Sequence, residues 1–465
     1  MFKAETYVFR RKDLVKKVNS GLILMPGNND MPMNYAANCY PFRQDSSFLY
    51  YFGLDLRGLV AVIDVEENKS IIFGNDLDLD DIIWMGPQPS LNNQAYGVGI
   101  EHVQPLENLQ NVLKKARDSG RQIHFLPPYR EEQIFQLISL LEIERELLSG
   151  MASRELIAAV IEQRSIKSQE EIEEIERAQH VTYEMHTMAM RMAKPGIYES
   201  DIAGMIEGIA ISLGGRVSFP VILSNRSEIL HNNYHGNILH DGDMVINDSG
   251  AETEMHYASD ITRTFPVNGK FTSRQKDIYE IVLQSQLEAI QAVKPGQKNK
   301  DLHLKAATII ATGLKDLGLM KGAVEDAVQQ GAHALFFPHG LGHMLGLDVH
   351  DMENLGEDNV GYNSEIKRSD QFGLAYLRLA KNLQPGFVIT IEPGIYFIQE
   401  LIRKFKKENK YGEFINYDMI EEYSGFGGIR IEDDVVVTDD GFSVVGKPIP
   451  KTVAEIEKAC QKNEE

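Results

Sequence analysis

Cysteine is scarce: the 465 residues contain two, Cys39 and Cys460, near opposite ends. No disulfide framework can be proposed, and thiolate-rich structural zinc sites are excluded, so a reducing compartment, the cytoplasm, is expected. Basic side chains are in deficit, 47 against 68 acidic ones, for a formal charge of −21. That balance disfavours attraction to nucleic acid or anionic membranes, and neither is an expected partner. Uninterrupted apolar runs near the ~20 residues of a membrane span are missing. The stretch "MFKAETYVFRRKDLVKK" lacks the apolar core of an export signal, so export is not expected. Repeats and low-complexity tracts are absent as well. What is present is a chain with 43% hydrophobic residues, able to bury a large core and long enough for two domains.

From Leu22 to about Leu141, the strand-like runs "GLILMPG", "LVAVIDV", "SIIFG" and "QIHFLPP" alternate with helical stretches, as in an α/β domain. A long helix is predicted next, with Ser168 as N-cap and an end at Pro195-Gly196. Its run "EEIEEIE" is read as a solvated face, and Met185, Met188, Met190 and Met192 as core filling. The domain boundary falls near residue 162, giving domains 1–162 and 163–465. Beyond residue 215, Gly-punctuated strands interleave with helices, so the C-terminal part is α+β with substantial antiparallel sheet.

Eight of the thirteen histidines fall in the windows 231–256 and 333–350. The second reads "FFPHGLGHMLGLDVHD", with His339, His343 and His350 among glycines and apolar residues. Four acids sit in or beside apolar, strand-like runs: Asp248 in "VINDSG", Asp260 in "YASDITRTF", Glu392 in "FVITIEPGIYF" and Glu432 in "GGIRIEDDVVVT". A buried unpaired charge costs several kcal/mol or is neutralised by a pKa shift. A pair of divalent ions held by these carboxylates and one imidazole would resolve the conflict. The oxygen-rich set suits Mn²⁺, Mg²⁺, Co²⁺, Fe²⁺ or Zn²⁺, with Mn²⁺ the first expectation.

Taken in order, "YASDITRTFPVNGKF", "HGLGHMLGLDVHD", "TIEPGIYF" and "GGIRIEDDVVVT" resemble the aminopeptidase P and prolidase family of metallopeptidases. The resemblance implies a C-terminal pita-bread catalytic domain, and "YPFRQDSSFLYYFGL" resembles the family's creatinase-like N-terminal domain. Carried over by position, the metal ligands would be Asp248, Asp260, His343, Glu392 and Glu432, with Asp260 and Glu432 bridging both ions. Glu392 would be the general base beside a shared hydroxide, His231 and His350 would bond the developing oxyanion, and His339 would help shape a proline pocket. Arg430 matches the arginine just before the last ligand. The loop "DSGAETEMHYASD" is one residue longer than the family pattern, so a longer turn or a bulge is expected with both aspartates retained. A shift of one position would instead bring Asn247, a residue of the wrong type.

The implied substrates are peptides with proline in second position, cut before the proline. An Xaa-Pro aminopeptidase is the first reading and an Xaa-Pro dipeptidase the alternative. The 39 residues between Glu392 and Glu432 resemble the longer prolidase-type insertion, and Arg378 matches an arginine that prolidases use toward the dipeptide carboxylate. A homodimer or higher homo-oligomer is expected. An inactive peptide-binding module and a metal-independent, creatinase-like hydrolase are both disfavoured, because all five ligand positions are filled.

Overall fold

The computed structural model describes residues 1–461 and divides into two compact units. The first comprises Met1–Arg164 together with Met352–Asn359, and the second Ser165–Asp351 and the chain from Val360 onward.

The first unit is built on a five-stranded sheet ordered β4-β3-β2-β1-β5. Its strands are β1 (Leu22–Pro26), β2 (Val60–Asp64), β3 (Lys69–Phe73), β4 (His102–Gln104) and β5 (Ile123–His124). The four runs singled out in the sequence form β1, β2, β3 and β5. β2 and β3 join as a hairpin rather than through a helix, so the sheet is mixed: β1-β2 and β2-β3 are antiparallel, β3-β4 and β1-β5 parallel. Because side chains alternate along a strand, Leu22, Leu24, Val60, Val62, Ile71 and Phe73 share one face. They pack there with Leu109 and Leu113 of the helix Leu109–Asp118 and Leu137 of the helix Glu131–Leu141. The short helix Leu79–Met85 is different: a capping box closes it on Asp78, yet none of its residues is buried, and Trp84 is 85% exposed.

The second unit is α+β. Helix α1 (Gln169–Met192) starts on Ser168, whose side chain accepts from the Glu171 amide while Glu171 reaches back to the Ser168 amide. Met185 and Met190 are core residues, but the acidic run is not wholly solvated. Glu171 and Glu174 are buried, Glu171 accepting from the Tyr257 hydroxyl at 2.9 Å and Glu174 from Arg177 at 2.7 Å, while Glu173 and Glu176 face out. Helical periodicity turns two members of the run inward, and hydrogen bonds satisfy them.

Four antiparallel sheets follow, built from β6 (Arg216–Val217), β7 (Ile222–Ser224), β8 (Met244–Ser249), β9 (Ala251–Glu252), β10 (Ile261–Pro266), β11 (Val388–Ile391), β12 (Gly394–Tyr396), β13 (Gly428–Arg430), β14 (Asp433–Val437) and β15 (Phe442–Val444). The sheets are β10-β8-β7, β11-β14-β15, β12-β13 and β6-β9. Helix α1 packs against α2 (Glu199–Ser212) and lies on β8, β9 and β10. Helix α3 (Ser273–Gln291) packs against α4 (Asn299–Asp316) and lies on β11, β12 and β13. The two sheet-and-helix halves meet where β10 runs beside β13 and β14. A further helix, α5 (Gln399–Lys407), lies between β12 and β13 in the chain.

Candidate metal centre and active site

The site forms where the two halves meet. β8 and β10 pair with Asp248 opposite Thr262, so Asp260 lies just past the ladder. Between the two aspartates the chain turns at Thr253–His256, where His256 takes a left-handed φ of 66° and the Thr253 amide bonds the Tyr257 carbonyl. Gly250 stands where a Cβ would fall 1.8 Å from the Ser259 carbonyl oxygen, so the strands cross there only because the side chain is missing. Neighbouring residues of β8 point to opposite faces. Asn247 faces α1 and donates to His186 Nδ1 at 3.2 Å, while Asp248 faces the cavity and accepts from Arg430.

The other half contributes two segments that behave as one piece. The His343 amide donates to Thr390 Oγ1, the Thr390 amide to the His343 carbonyl, and the Glu392 amide to the Leu341 carbonyl. Gly342 allows this, since a Cβ there would meet the Thr390 carbonyl oxygen at 1.9 Å. Glu432 is delivered by the turn between β13 and β14 and accepts from Thr262 Oγ1 at 2.7 Å.

All these side chains line one cavity of about 790 Å³, which includes Asp248, Asp260, Glu392, Glu432, His231, His339, His343, His350, Arg378 and Arg430. Three sets of donor atoms lie within 4.8 Å of one another: Asp260 with His343 and His350, His343 with Glu392 and Glu432, and Asp248 with Asp260 and Glu432. His343 Nδ1 is 3.0 Å from the Met344 carbonyl, which can only accept, so the ring proton sits on Nδ1. Its Nε2 lone pair then faces Asp260 Oδ2 at 3.4 Å and Glu392 Oε1 at 3.7 Å. A lone pair aimed at two carboxylates is repulsive unless a proton or a metal ion lies between them. Asp248 Oδ1 and Asp260 Oδ1 are buried without a hydrogen-bond partner, a costly state that a divalent cation would remove. The donor set therefore fits divalent metal.

The electrostatics agree. Burial pushes the Asp260 carboxyl well above its usual range, and Asp248 beside it adds to the rise. Burial does the same to Glu432, helped by Asp260 and Glu392. Glu392 is pushed up to about 7 by desolvation, against the opposing pull of His343 and Arg430. Four acids share the cavity with two guanidiniums, Arg378 and Arg430, so crowding of like charge adds to burial.

Histidines border the acids. His339 donates from Nδ1 to the Gly340 carbonyl at 2.8 Å, so its Nε2 accepts from the Tyr396 hydroxyl at 2.9 Å, and Arg430 donates to that same hydroxyl at 2.8 Å. Burial, with the charge of Arg430, lowers His339 to about 3 and keeps it neutral. His231 is lowered by desolvation and Arg430, and both histidines feel the charge of Arg378. The His350 and His343 rings are 4.0 Å apart between centroids. Every site residue singled out in the sequence thus lines the same cavity. Three polar neighbours were not singled out: Thr262, Tyr396 and Asp434. Asp434 Oδ2 accepts from the Asp260 amide at 3.0 Å, and burial followed by the Asp260 charge raises its own carboxyl well above the usual range. Thr262 is two residues beyond Asp260 and on the same strand face, a period-two signal that could have revealed it.

Residues 173–439 match metallopeptidase family M24, and residues 7–124 match the aminopeptidase P N-terminal domain. The chain belongs to metallopeptidase family M24. Among relatives of this M24 protein, the Xaa-Pro dipeptidase of Homo sapiens is 36% identical over 433 residues, spanning 90% of this chain and 84% of the relative. A probable Xaa-Pro aminopeptidase of Sordaria macrospora is 30% identical, spanning 96% and 92%. The structure of Escherichia coli aminopeptidase P with the inhibitor Pro-Leu superposes with a TM-score of 0.81 at 30% identity, covering 99% of this chain and 98% of that one. The M24 chain is thus a metallopeptidase of the Xaa-Pro peptidase group, with an aminopeptidase P-type N-terminal domain preceding the catalytic one. Among the described residues, no helix is long and apolar enough to cross a membrane.

Proposed function

We propose that the protein is a dinuclear metal-dependent Xaa-Pro aminopeptidase that releases the first residue of peptides with proline in second position. The observation that carries this reading is the convergence of four carboxylates and His343 Nε2 in one cavity, with two buried carboxylate oxygens lacking partners. Asp248, Asp260, His343, Glu392 and Glu432 would hold the ions. Asp260, His343 and Glu432 each belong to two of the three donor clusters, and of these the two carboxylates have a second oxygen with which to bridge, which supports that role for both. When bound, two divalent ions, Mn²⁺ first, would supply the acidity that lets water attack an amide near neutral pH and a positive centre for the scissile carbonyl.

The chain's own groups do the rest. Glu392 lies between His343 and His339, at 3.7 Å from each, placed to accept a proton from water and return it to the leaving nitrogen. His231, kept neutral by burial, and His350 would donate to the oxyanion as it develops. Tyr396 and Arg430 fix the His339 ring, whose outer face, with Phe219, Pro220 and Leu230, gives the cavity an apolar wall for proline. The exposed apolar residues of the helix Leu79–Met85 are surface that a second copy would cover in the expected homodimer or higher homo-oligomer. Cytoplasmic placement is part of the same reading.

A second reading, an Xaa-Pro dipeptidase, is supported by Arg378 in the cavity wall and by the human relative. Metal-loaded protein assayed on Xaa-Pro, Xaa-Pro-Xaa and matched proline-free peptides, with and without chelator, tests both. Chelator-sensitive release of the first residue from Xaa-Pro-Xaa is expected. Cleavage of Xaa-Pro alone would select the second reading, and cleavage without metal or without proline would reject both.

A further inference from the structure

Between Ile402 and Lys410 the chain reads "IRKFKKENK", five basic side chains against one acid in a protein of net charge −21. This basic island includes the end of α5, and α5 borders the mouth of the cavity through Glu400, Leu401 and Lys404. Three of the five cations are engaged locally. Arg403 pairs with Glu400 at 3.8 Å, Lys406 with Asp418 at 3.7 Å and with Glu421, and the Lys410 ammonium sits 4.3 Å from the Phe405 ring centroid. Lys404 lines the cavity, is exposed, and its ammonium has no ion pair or hydrogen bond among the described residues. Lys407, the remaining cation, is exposed and is not part of the cavity lining.

Lys404 also stands farther out than Arg378. Arg378 is partly buried, and its charge is felt at both His231 and His339, deep along the histidine wall. The cavity has room for more than a dipeptide, because about 790 Å³ approaches the upper end of the ~300–1,000 Å³ that encloses drug-sized ligands. Each further residue of an extended peptide moves its C-terminal carboxylate ~3.3–3.6 Å outward, from the level of Arg378 toward the rim.

We propose that Lys404 is a specificity-determining residue that receives the free C-terminal carboxylate of peptides extending one residue past the proline, so that Arg378 and Lys404 read two successive peptide lengths. This rests on the Xaa-Pro peptidase reading and deepens it: the substrate class becomes short free-acid peptides, tripeptides included. The neighbouring acid Glu400 does not cancel the field, since Arg403 faces it.

The test compares kcat/KM for Ala-Pro-Ala with that for its C-terminal amide, in metal-loaded wild type, Lys404→Ala, Lys404→Glu and Lys407→Ala. Exposed ion pairs contribute modestly, so Lys404→Ala should lower the acid-to-amide ratio about 3- to 5-fold. Charge reversal should lower it on the order of 10-fold, and raised salt should shrink both effects. Lys407→Ala, on the same helix with the same change of charge, should keep the wild-type ratio. A wild-type ratio in both Lys404 variants overturns the proposal, as does an equal fall in Lys407→Ala, which would make the effect one of net charge. Wild type that cleaves Ala-Pro but not Ala-Pro-Ala also overturns it while leaving the peptidase reading intact. Wild type that cleaves no proline peptide overturns both.

Discussion

Adding a divalent ion to metal-free protein should release protons and raise the melting temperature together. In the metal-free state burial holds the Asp260 and Glu432 carboxyls well above the usual range and Glu392 at about 7, so all three keep their protons to higher pH than in the unfolded chain, and Glu392 is about half protonated near neutral pH. The sign follows from linkage: groups raised on folding bind more protons folded than unfolded. Stability of the metal-free protein therefore falls as pH rises from the ordinary carboxyl range through the raised values. For Glu392 alone, the shift from 4.5 to about 7 corresponds to roughly 3 kcal/mol lost above that pH. Metal binding needs the deprotonated forms, so protons should leave as the site fills at pH 7, Glu392 alone giving up about half of one, and affinity should weaken as pH falls. At 100 times Kd each ion adds ~2.7 kcal/mol, so two add about 5. For a catalytic unit of this size the melting point should rise on the order of 10 °C. Calorimetric titration with Mn²⁺ in buffers of different ionisation enthalpy counts the protons, and thermal unfolding reads the shift. Asp260→Asn should melt higher than wild type without metal, because it removes a buried acid, yet gain far less on adding metal. Wild type that binds metal without releasing protons, or that melts at the same temperature with and without it, would falsify the assignment of these acids as ligands.

Three further outcomes are expected. His350→Ala should lower kcat by ~10²–10³-fold with little change in KM and a near wild-type metal content by elemental analysis; loss of metal instead would make His350 the ligand, a role its place beside Asp260 and His343 allows. Arg378→Ala should reduce kcat/KM on Xaa-Pro by on the order of 10-fold, since charge-assisted bonds contribute ~1.5–3 kcal/mol, and reduce it much less on Xaa-Pro-Xaa; equal losses on both would make Arg378 structural. Burial lowers His333 to about 4, and neither of its ring nitrogens has a partner, so its contribution is intact above about 6.5 and lost as pH falls toward 4. His333→Phe should flatten that acid limb by roughly 3 kcal/mol in denaturant titrations, and an unchanged limb would rule the residue out as its source.

The sequence was most legible where one residue type had to sit in an environment that opposes it. Asp260 among β-branched neighbours and Glu392 at the end of an apolar run announced a buried cation site before any fold was known. Helix α1 was legible for a different reason, because a capping box and a Pro-Gly terminator are local signals. Less local features were hidden. The β2-β3 hairpin looked like a βα unit because runs of apolar residues do not say whether the chain turns tightly or crosses over. Strand β4, three residues long, is too short to show a period. Glu171 and Glu174 looked solvated because composition describes a run, whereas burial depends on which way each residue faces. Tyr396 and Asp434 matter through partners 34 and 174 positions away, a pairing that one sequence cannot display.

Those separations also govern when the protein becomes a peptidase during its synthesis. Arg430 reaches Asp248 across 182 positions of chain, and Thr262 meets Glu432 across 170. A ribosome delivers residues in order, so a nascent chain holding Asp248, Asp260, His343 and Glu392 still lacks the carboxylate of Glu432 and the guanidinium that anchors Asp248. Long-range pairings close last. The half-built site carries unbalanced acids and no completed cluster around Glu432, and it is whole only once β13 and β14 have emerged and docked against β10. The order of synthesis thus leaves the candidate site incomplete until the last of its acids arrives.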